Sequence, residues 1–179
     1  MIDIFTFIEA LWFILPAYAA NGLVPLLKGK HAIDSGIKLR DGMPLFGKGK
    51  TWEGFIGGCI IGALIGMVEM VAYPYLPFNL SPVPLTIVPM SPILGFILGF
   101  GSMFGDLISS FVKRRLKIKR GSPAPLLDQL DFVIGALFFS SLLVSIKIEW
   151  VVILLVITPV LHLIANGVAY LIKVKNVPW

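Results

Sequence analysis

Cysteine is nearly absent from this chain. Its single copy, Cys59, lies inside an apolar run, which excludes a disulfide framework and a thiolate zinc cluster. Charge is scarce too: Asp, Glu, Lys and Arg make up 14% of the 179 residues, against about 25% in ordinary globular chains. No basic segment precedes the first apolar stretch, where Asp3 and Glu9 stand instead, so that stretch reads as a membrane helix and not a cleaved signal. There is no paired Ser/His/Asp pattern and no Cys nucleophile for covalent acyl chemistry, and His162 lacks the second His or Cys that zinc needs. Apolar residues fill the space left, at 57% of the chain. The composition is that of one integral-membrane domain over residues 1–179 without a soluble appendage.

Five apolar runs, near residues 4–27, 53–76, 91–112, 130–147 and 150–172, are long enough for a hydrocarbon core of about 30 Å. They predict an all-α, polytopic membrane protein with about five transmembrane helices. Every basic residue except Lys147 falls in the first connection, the third connection or the C-terminal tail. The positive-inside rule then puts the N-terminus outside and those two connections, with the C-terminus, in the cytoplasm of a cell-membrane protein. Basic residues in short blocks between apolar runs suit membrane anchoring and phosphate binding, not nucleic acid. The second connection, Pro77–Pro89, is uncharged; its Asn79-Leu80-Ser81 fits a glycosylation pattern, although Pro82 and the short loop weigh against it.

Polar groups inside the runs are few. Gly54, Gly58, Gly62 and Gly66, and then Gly95, Gly99, Gly101 and Gly105, form small-residue stripes that let helices approach closely, within one chain or across a homodimer equally well. Asn21 either bonds a neighbouring helix or lines a polar cavity. His162 and Asn166, at i and i+4, are expected to make interhelical hydrogen bonds, with a substrate contact as the lesser reading. Glu69 reads as a polar contact towards the outer side, and Trp150 and Trp179 as interfacial anchors.

The segment Gly105–Asp131 concentrates the chemistry, with three of the ten carboxylates and six of the fifteen Lys and Arg. An ionisable group in a bilayer core costs roughly 2.5–3.5 kcal/mol on insertion scales, so such groups mark sites. Asp106, Ser109, Ser110 and Lys113 share one helical face by spacing, and Asp128 and Asp131 open the next apolar run. Singly, Asp106 could pair with Lys113 or Arg114, and the later two could be helix N-terminal acids. Jointly, beside the basic run 113–120, they suggest a divalent metal, Mg²⁺, and a polyphosphate. In the first connection, Gly47-Lys48-Gly49-Lys50-Thr51 fails as a Walker loop, because Pro44 stands where glycine is needed and no strand precedes it. It keeps the means to hold an anion: glycine backbone, two lysines and a Thr near a helix start. A plain basic surface loop is the rival reading.

Two blocks carry a family resemblance. Ser110-Phe111-Val112-Lys113-Arg114, four residues, Lys119-Arg120, then Asp128-Gln129-Leu130-Asp131 resembles the signature of the CDP-diacylglycerol synthase family of CTP-dependent lipid cytidylyltransferases. The earlier block Lys50-Thr51-Trp52-Glu53-Gly54-Phe55-Ile56-Gly57-Gly58 is similar to that family's Lys-Thr-Trp-Glu-Gly segment. Arg120 replaces an Asp, Gln129 an Arg, and Ser122-Pro123-Ala124-Pro125 a glycine-rich stretch. These departures and the short chain look like the archaeal, CDP-archaeol-forming branch. The resemblance implies CTP and 2,3-bis-O-geranylgeranylglycerol phosphate as substrates, CDP-archaeol and pyrophosphate as products, and Mg²⁺ as cofactor. It implies Asp106, Asp128 and Asp131 as metal ligands and catalytic groups with Lys113. Lys48, Lys50, Thr51, Ser110, Lys113, Arg114 and Lys119 would bind the nucleotide. The rivals are the same chemistry on phosphatidic acid, a small transporter using Asp106, and a scaffold binding anionic lipid.

Overall fold

The computed structural model describes residues 3–76, 78, 85–171 and 173. Asn79–Ser81, Lys175 and Trp179 lie outside them, and with them the glycosylation and Trp179 readings. Among them five α-helices follow one another: α1 (Ile4–Leu23), α2 (Trp52–Ala72), α3 (Pro92–Arg115), α4 (Leu127–Ser140) and α5 (Ile148–Leu171). Their starts are set by local chemistry. Asp3 accepts from the Thr6 N–H (2.7 Å), Thr51 from Gly54 (3.2 Å) and Ser91 from Leu94 (3.1 Å), each satisfying an N–H that the helix itself leaves unpaired. Pro92 occupies the first turn of α3, where a missing N–H costs nothing, and Lys113, Arg114 and Arg115 complement the dipole in its last turn.

Among the described residues four helical segments are long and apolar enough to cross a membrane. The expected fourth span is where the structure differs. Its helix, α4, has 14 residues, or about 21 Å of rise. Hydrogen-bonded turns carry it on through Val144. The Ser140 and Ser141 hydroxyls turn back onto the Ala136 and Phe138 carbonyls (2.7 Å each), a competing bond that weakens a helix end.

The glycine stripes do the packing expected of them, and they do it within the chain. A Cβ on Gly66 would lie 2.6 Å from the Ser91 carbonyl and 2.9 Å from Gly95 Cα, so α2 and α3 meet backbone to backbone. On its other side α3 meets α4 in the same way: a Cβ on Gly101 would lie 2.8 Å from Ala136 Cα, and one on Gly105 would strike the Asp131 carbonyl. Phe13 and Ile14 of α1, Leu98 of α3, Val133 of α4 and Leu154 of α5 form the buried core. Outward faces are apolar as well, with Ile56, Ile60 and Leu64 on α2 and Val152, Val156 and Val160 on α5 exposed, as a lipid-facing surface requires.

At one end of the bundle Glu9, 4% exposed, accepts from the Thr86 backbone and hydroxyl, from Lys147 (2.9 Å) and from Trp150 Nε1 (3.1 Å). Trp150 is therefore no interfacial anchor. It is 1% exposed and packs on Phe13 with ring centroids 5.5 Å apart, because the Glu9 carboxylate gives its N–H a partner inside the protein. Glu69 of α2 is buried and has no hydrogen-bond partner among the described residues. The basic connections, and the cavity between them, lie at the opposite end.

Candidate active site

The cavity is built where helix ends and the basic connections meet. Its volume is about 1120 Å³, on the scale of the largest ordinary ligand sites. α1 contributes Tyr18 and Asn21, and the 3₁₀ turn Val24–Leu27 contributes Pro25 and Leu26. The first connection gives Lys28, Lys48, Lys50 and Thr51. α3 adds Met103, Asp106 and Lys113, and the loop after it Arg120. α4 adds Asp128, Asp131 and Phe132, and α5 adds Thr158, His162 and Asn166, with Lys173 beyond it. Six cations and three carboxylates thus face one space.

The carboxylates are not equivalent. Asp106 is ion-paired with Lys50 across from the first connection, and Asp128 with Lys113. The second oxygen of Asp128 accepts from the Ala124 N–H (3.0 Å), which holds the Ser122–Pro125 turn onto the start of α4. Asp131 has no lysine partner among the described residues. One of its oxygens accepts from the N–H of Phe132 (2.7 Å), and it lies within electrostatic reach of both Asp106 and Lys50. The close crossing at Gly105 brings Asp106 and Asp131 onto one wall. Carboxylate oxygens of this kind are the hard donors that Mg²⁺ takes. Among the described residues no three acidic, His or Cys side chains converge tightly enough to cage an ion by themselves. An ion held at these carboxylates would therefore need further oxygen ligands from outside the protein, such as phosphate oxygens.

The first connection owes its shape to a residue that the sequence did not single out. Asp34, 2% exposed, accepts from the N–H groups of Gly36 (3.1 Å), Phe46 (3.0 Å) and Gly47 (2.7 Å). Burial pushes its carboxyl up, but the Gly47, Phe46 and Gly36 N–H groups outweigh that and hold it below the usual carboxylate range. Arg115 ties the same connection to α3 through Asp41 (2.8 Å) and the Pro44 carbonyl (2.5 Å). Lys48 and Lys50 are thus presented by a fixed loop. Asp34→Ala is expected to take the shared acceptor from three N–H groups of the connection, at a cost of about 1 kcal/mol or more, read as faster proteolysis between residues 28 and 51. Because the folded carboxyl titrates below 3.8, this anchoring is fully present above that pH. It is lost as pH falls through the lowered value, a window that hydrogen exchange of Phe46 and Gly47 would map.

Of the residues expected at the site, Asp106, Asp128, Asp131, Lys113, Lys48, Lys50 and Thr51 line this cavity. Thr51 uses its hydroxyl to cap α2. Ser110 and Arg114 instead line a smaller cavity, whose wall is shared through Lys48, Lys50 and Lys113. Lys119 is exposed and lines neither. Asn21, His162 and Asn166 all reach the large cavity, where Asn166 Nδ2 and His162 Nδ1 lie 3.1 Å apart. Tyr18 was not foreseen; its hydroxyl meets Thr158 (2.8 Å) across 140 residues of sequence, a distance no local pattern bridges.

The CarS-like family, described as CDP-archaeol synthase, matches residues 1–179. A CDP-archaeol synthase of Pyrococcus abyssi is 46% identical over 171 residues, 96% of this chain and 97% of its own length. One from Methanocaldococcus jannaschii is 42% identical over 170 residues, 95% and 96% of the two chains. A solved structure, described as an intramembrane enzyme for archaeal membrane lipids biosynthesis, superposes with a TM-score of 0.74 at 37% identity, covering 89% of this chain and 93% of its own.

Proposed function

The chain belongs to the CDP-archaeol synthase family, and from that premise we propose how its charged cavity performs the reaction. The protein is a membrane-embedded, CTP-dependent cytidylyltransferase that makes CDP-archaeol from CTP and an ether-linked lipid phosphate. The observation that carries the residue-level reading is the joint lining of one cavity by Asp106, Asp128, Asp131, Lys48, Lys50 and Lys113.

The lipid phosphate is already an anion, so an oxygen of it can attack the α-phosphorus without a strong general base. Lys48, Lys50 and Lys113 bind the triphosphate and offset the charge that gathers in the transition state. Asp106, Asp128 and Asp131 would hold Mg²⁺, which when bound neutralises charge on the phosphates. To engage both ligands, Lys50 and Lys113 must leave the carboxylates they now pair with. The lipid enters sideways: the Val24–Leu27 turn packs on α1 and α2 while α5 packs on α1 and α4. Pro25 and Leu26 of that turn and Leu161 and Ala165 of α5 put apolar side chains on the cavity lining, which suits it to an apolar tail. The positive-inside rule puts this basic end in the cytoplasm of the cell membrane, where CTP is available. Both glycine stripes are covered by helices of the same chain, so a homodimer would form on another face.

The direct test is purified protein with CTP, Mg²⁺ and an ether-lipid phosphate, scored for pyrophosphate. Release is expected with the ether lipid and not without lipid. Equal or faster release with phosphatidic acid would move the assignment to the ester lipid. Solute flux in liposomes without pyrophosphate release would replace it with a transporter.

A further inference from the structure

Six cations line the large cavity, and four of them are already tied to other groups. Lys50 pairs with Asp106 and Lys113 with Asp128, while Lys48 and Arg120 are shared with the smaller cavity beside the 44–50 loop. Lys28 and Lys173 line the large cavity alone, and among the described residues neither makes an ion pair. Lys28 ends the Val24–Leu27 turn, and Lys173 lies just past α5. Both have a left-handed backbone, with φ of 48° and 60°, a conformation that strains a lysine where glycine would adopt it freely. The chain is nevertheless held at each place. The Lys173 N–H donates to the Tyr170 carbonyl (3.0 Å). Just beyond Lys28, a Cβ on Gly29 would strike the Thr51 hydroxyl, and the His31 N–H donates to the Glu53 carboxylate (3.1 Å). The same two elements carry apolar lining: Pro25 and Leu26 precede Lys28, and Leu161 and Ala165 precede Lys173. Each lysine thus closes an element that also offers apolar surface to the cavity.

We propose that Lys28 and Lys173 bind the phosphate of the lipid substrate and so position the attacking anion apart from the triphosphate. The assignment rests on the cytidylyltransferase reading and extends it to the acceptor. The head of a lipid phosphate lies a few bonds from its apolar chains, so its site must offer cations and apolar surface on neighbouring residues. The ends of the Val24–Leu27 turn and of α5 do this. An ammonium on a flexible four-carbon stem suits the task, because it can stay with the head as the lipid moves from the bilayer boundary into the cavity. The reaction also brings two polyanions together, and like charges at close range oppose the approach. Cations committed to each partner offset that repulsion before the transition state is reached. Exposed lysines at helix ends also meet the anionic headgroups of a surrounding bilayer. That is the same phosphate chemistry from a second source, and the choice of medium separates the two.

The test is steady-state kinetics of the full-length protein in a neutral detergent, where no anionic bilayer is present, varying CTP and the ether-lipid phosphate in turn. Lys28→Gln and Lys173→Gln are each expected to raise the KM for the lipid about five-fold, and the double variant further. The KM for CTP is expected to stay within about two-fold of the wild type. Both side chains are exposed, so the variants are expected to fold. Lys30→Gln removes the same charge two residues from Lys28 but outside both cavities, and is expected to change neither KM. A wild-type lipid KM in the double variant overturns the proposal. So does an equal rise in the KM for CTP, or an equal effect of Lys30→Gln, either of which reduces the lysines to a general positive field. A defect seen only in vesicles of anionic lipid, and not in detergent, assigns them to the bilayer and overturns it too. A wild-type protein that releases no pyrophosphate with any lipid phosphate counts against the parent reading, and this one falls with it.

Discussion

Asp131→Asn is expected to lower CTP turnover by about 10²-fold or more while leaving the protein folded and membrane-inserted. The substitution keeps the shape and an acceptor for the Phe132 N–H and removes the charge. Asp131 is the one acid of the three without a lysine partner among the described residues, so no cation is left uncompensated by its loss. Asp128→Asn should give a comparable fall in turnover with an added structural effect, because the same side chain holds Lys113 and the Ala124 N–H. Pyrophosphate release under saturating CTP, beside a thermal melt, separates the two. Wild-type turnover by a well-folded Asp131→Asn protein would remove it from the site.

Gly62→Leu is expected to be the most damaging change away from the charges. Its added Cβ would strike the Gly95 carbonyl and lie 2.9 Å from Gly99 Cα, both backbone atoms that no rotamer can move aside. Overpacking of this kind costs roughly 1–3 kcal/mol where side chains can give way and more where they cannot. The variant should aggregate or melt well below the wild type in detergent. Gly167→Ala on α5, with no atom of the described residues within 4 Å of the new methyl, is the control and should melt as the wild type does. Equal melting of Gly62→Leu and wild type would mean that α2 and α3 do not meet along this stripe.

These expectations differ in how far the sequence alone could carry them. Hydropathy locates α1, α2, α3 and α5 because lipid-facing helices are apolar over their whole length. α4 is harder, since it starts among site acids and ends in serines that draw hydroxyl bonds back onto its own carbonyls. The glycine stripes foretell close approach, yet only the fold shows that one face of α3 meets α2 and another meets α4. Thr51 as a helix start and the carboxylate–lysine concentration near Asp106 are local and were readable. Trp150 was misread because its partner Glu9 is 141 residues away. Asp34 resembles any loop acid until three backbone N–H groups are seen to turn towards it. Lys119 follows the spacing of the signature, but the chain turns at Lys117, in a left-handed conformation, and carries it out of the site.

The two lysine–carboxylate pairs have a thermodynamic consequence for substrate loading. On the proposed assignment, a triphosphate that draws Lys50 and Lys113 to itself strips Asp106 and Asp128 of their counter-charges, and their affinity for a divalent ion rises. Linkage makes the relation reciprocal: whatever factor the nucleotide adds to cation affinity, the cation adds to nucleotide affinity. Neither ligand is then favoured to arrive alone, and the resting site is held closed to stray cations by its own lysines.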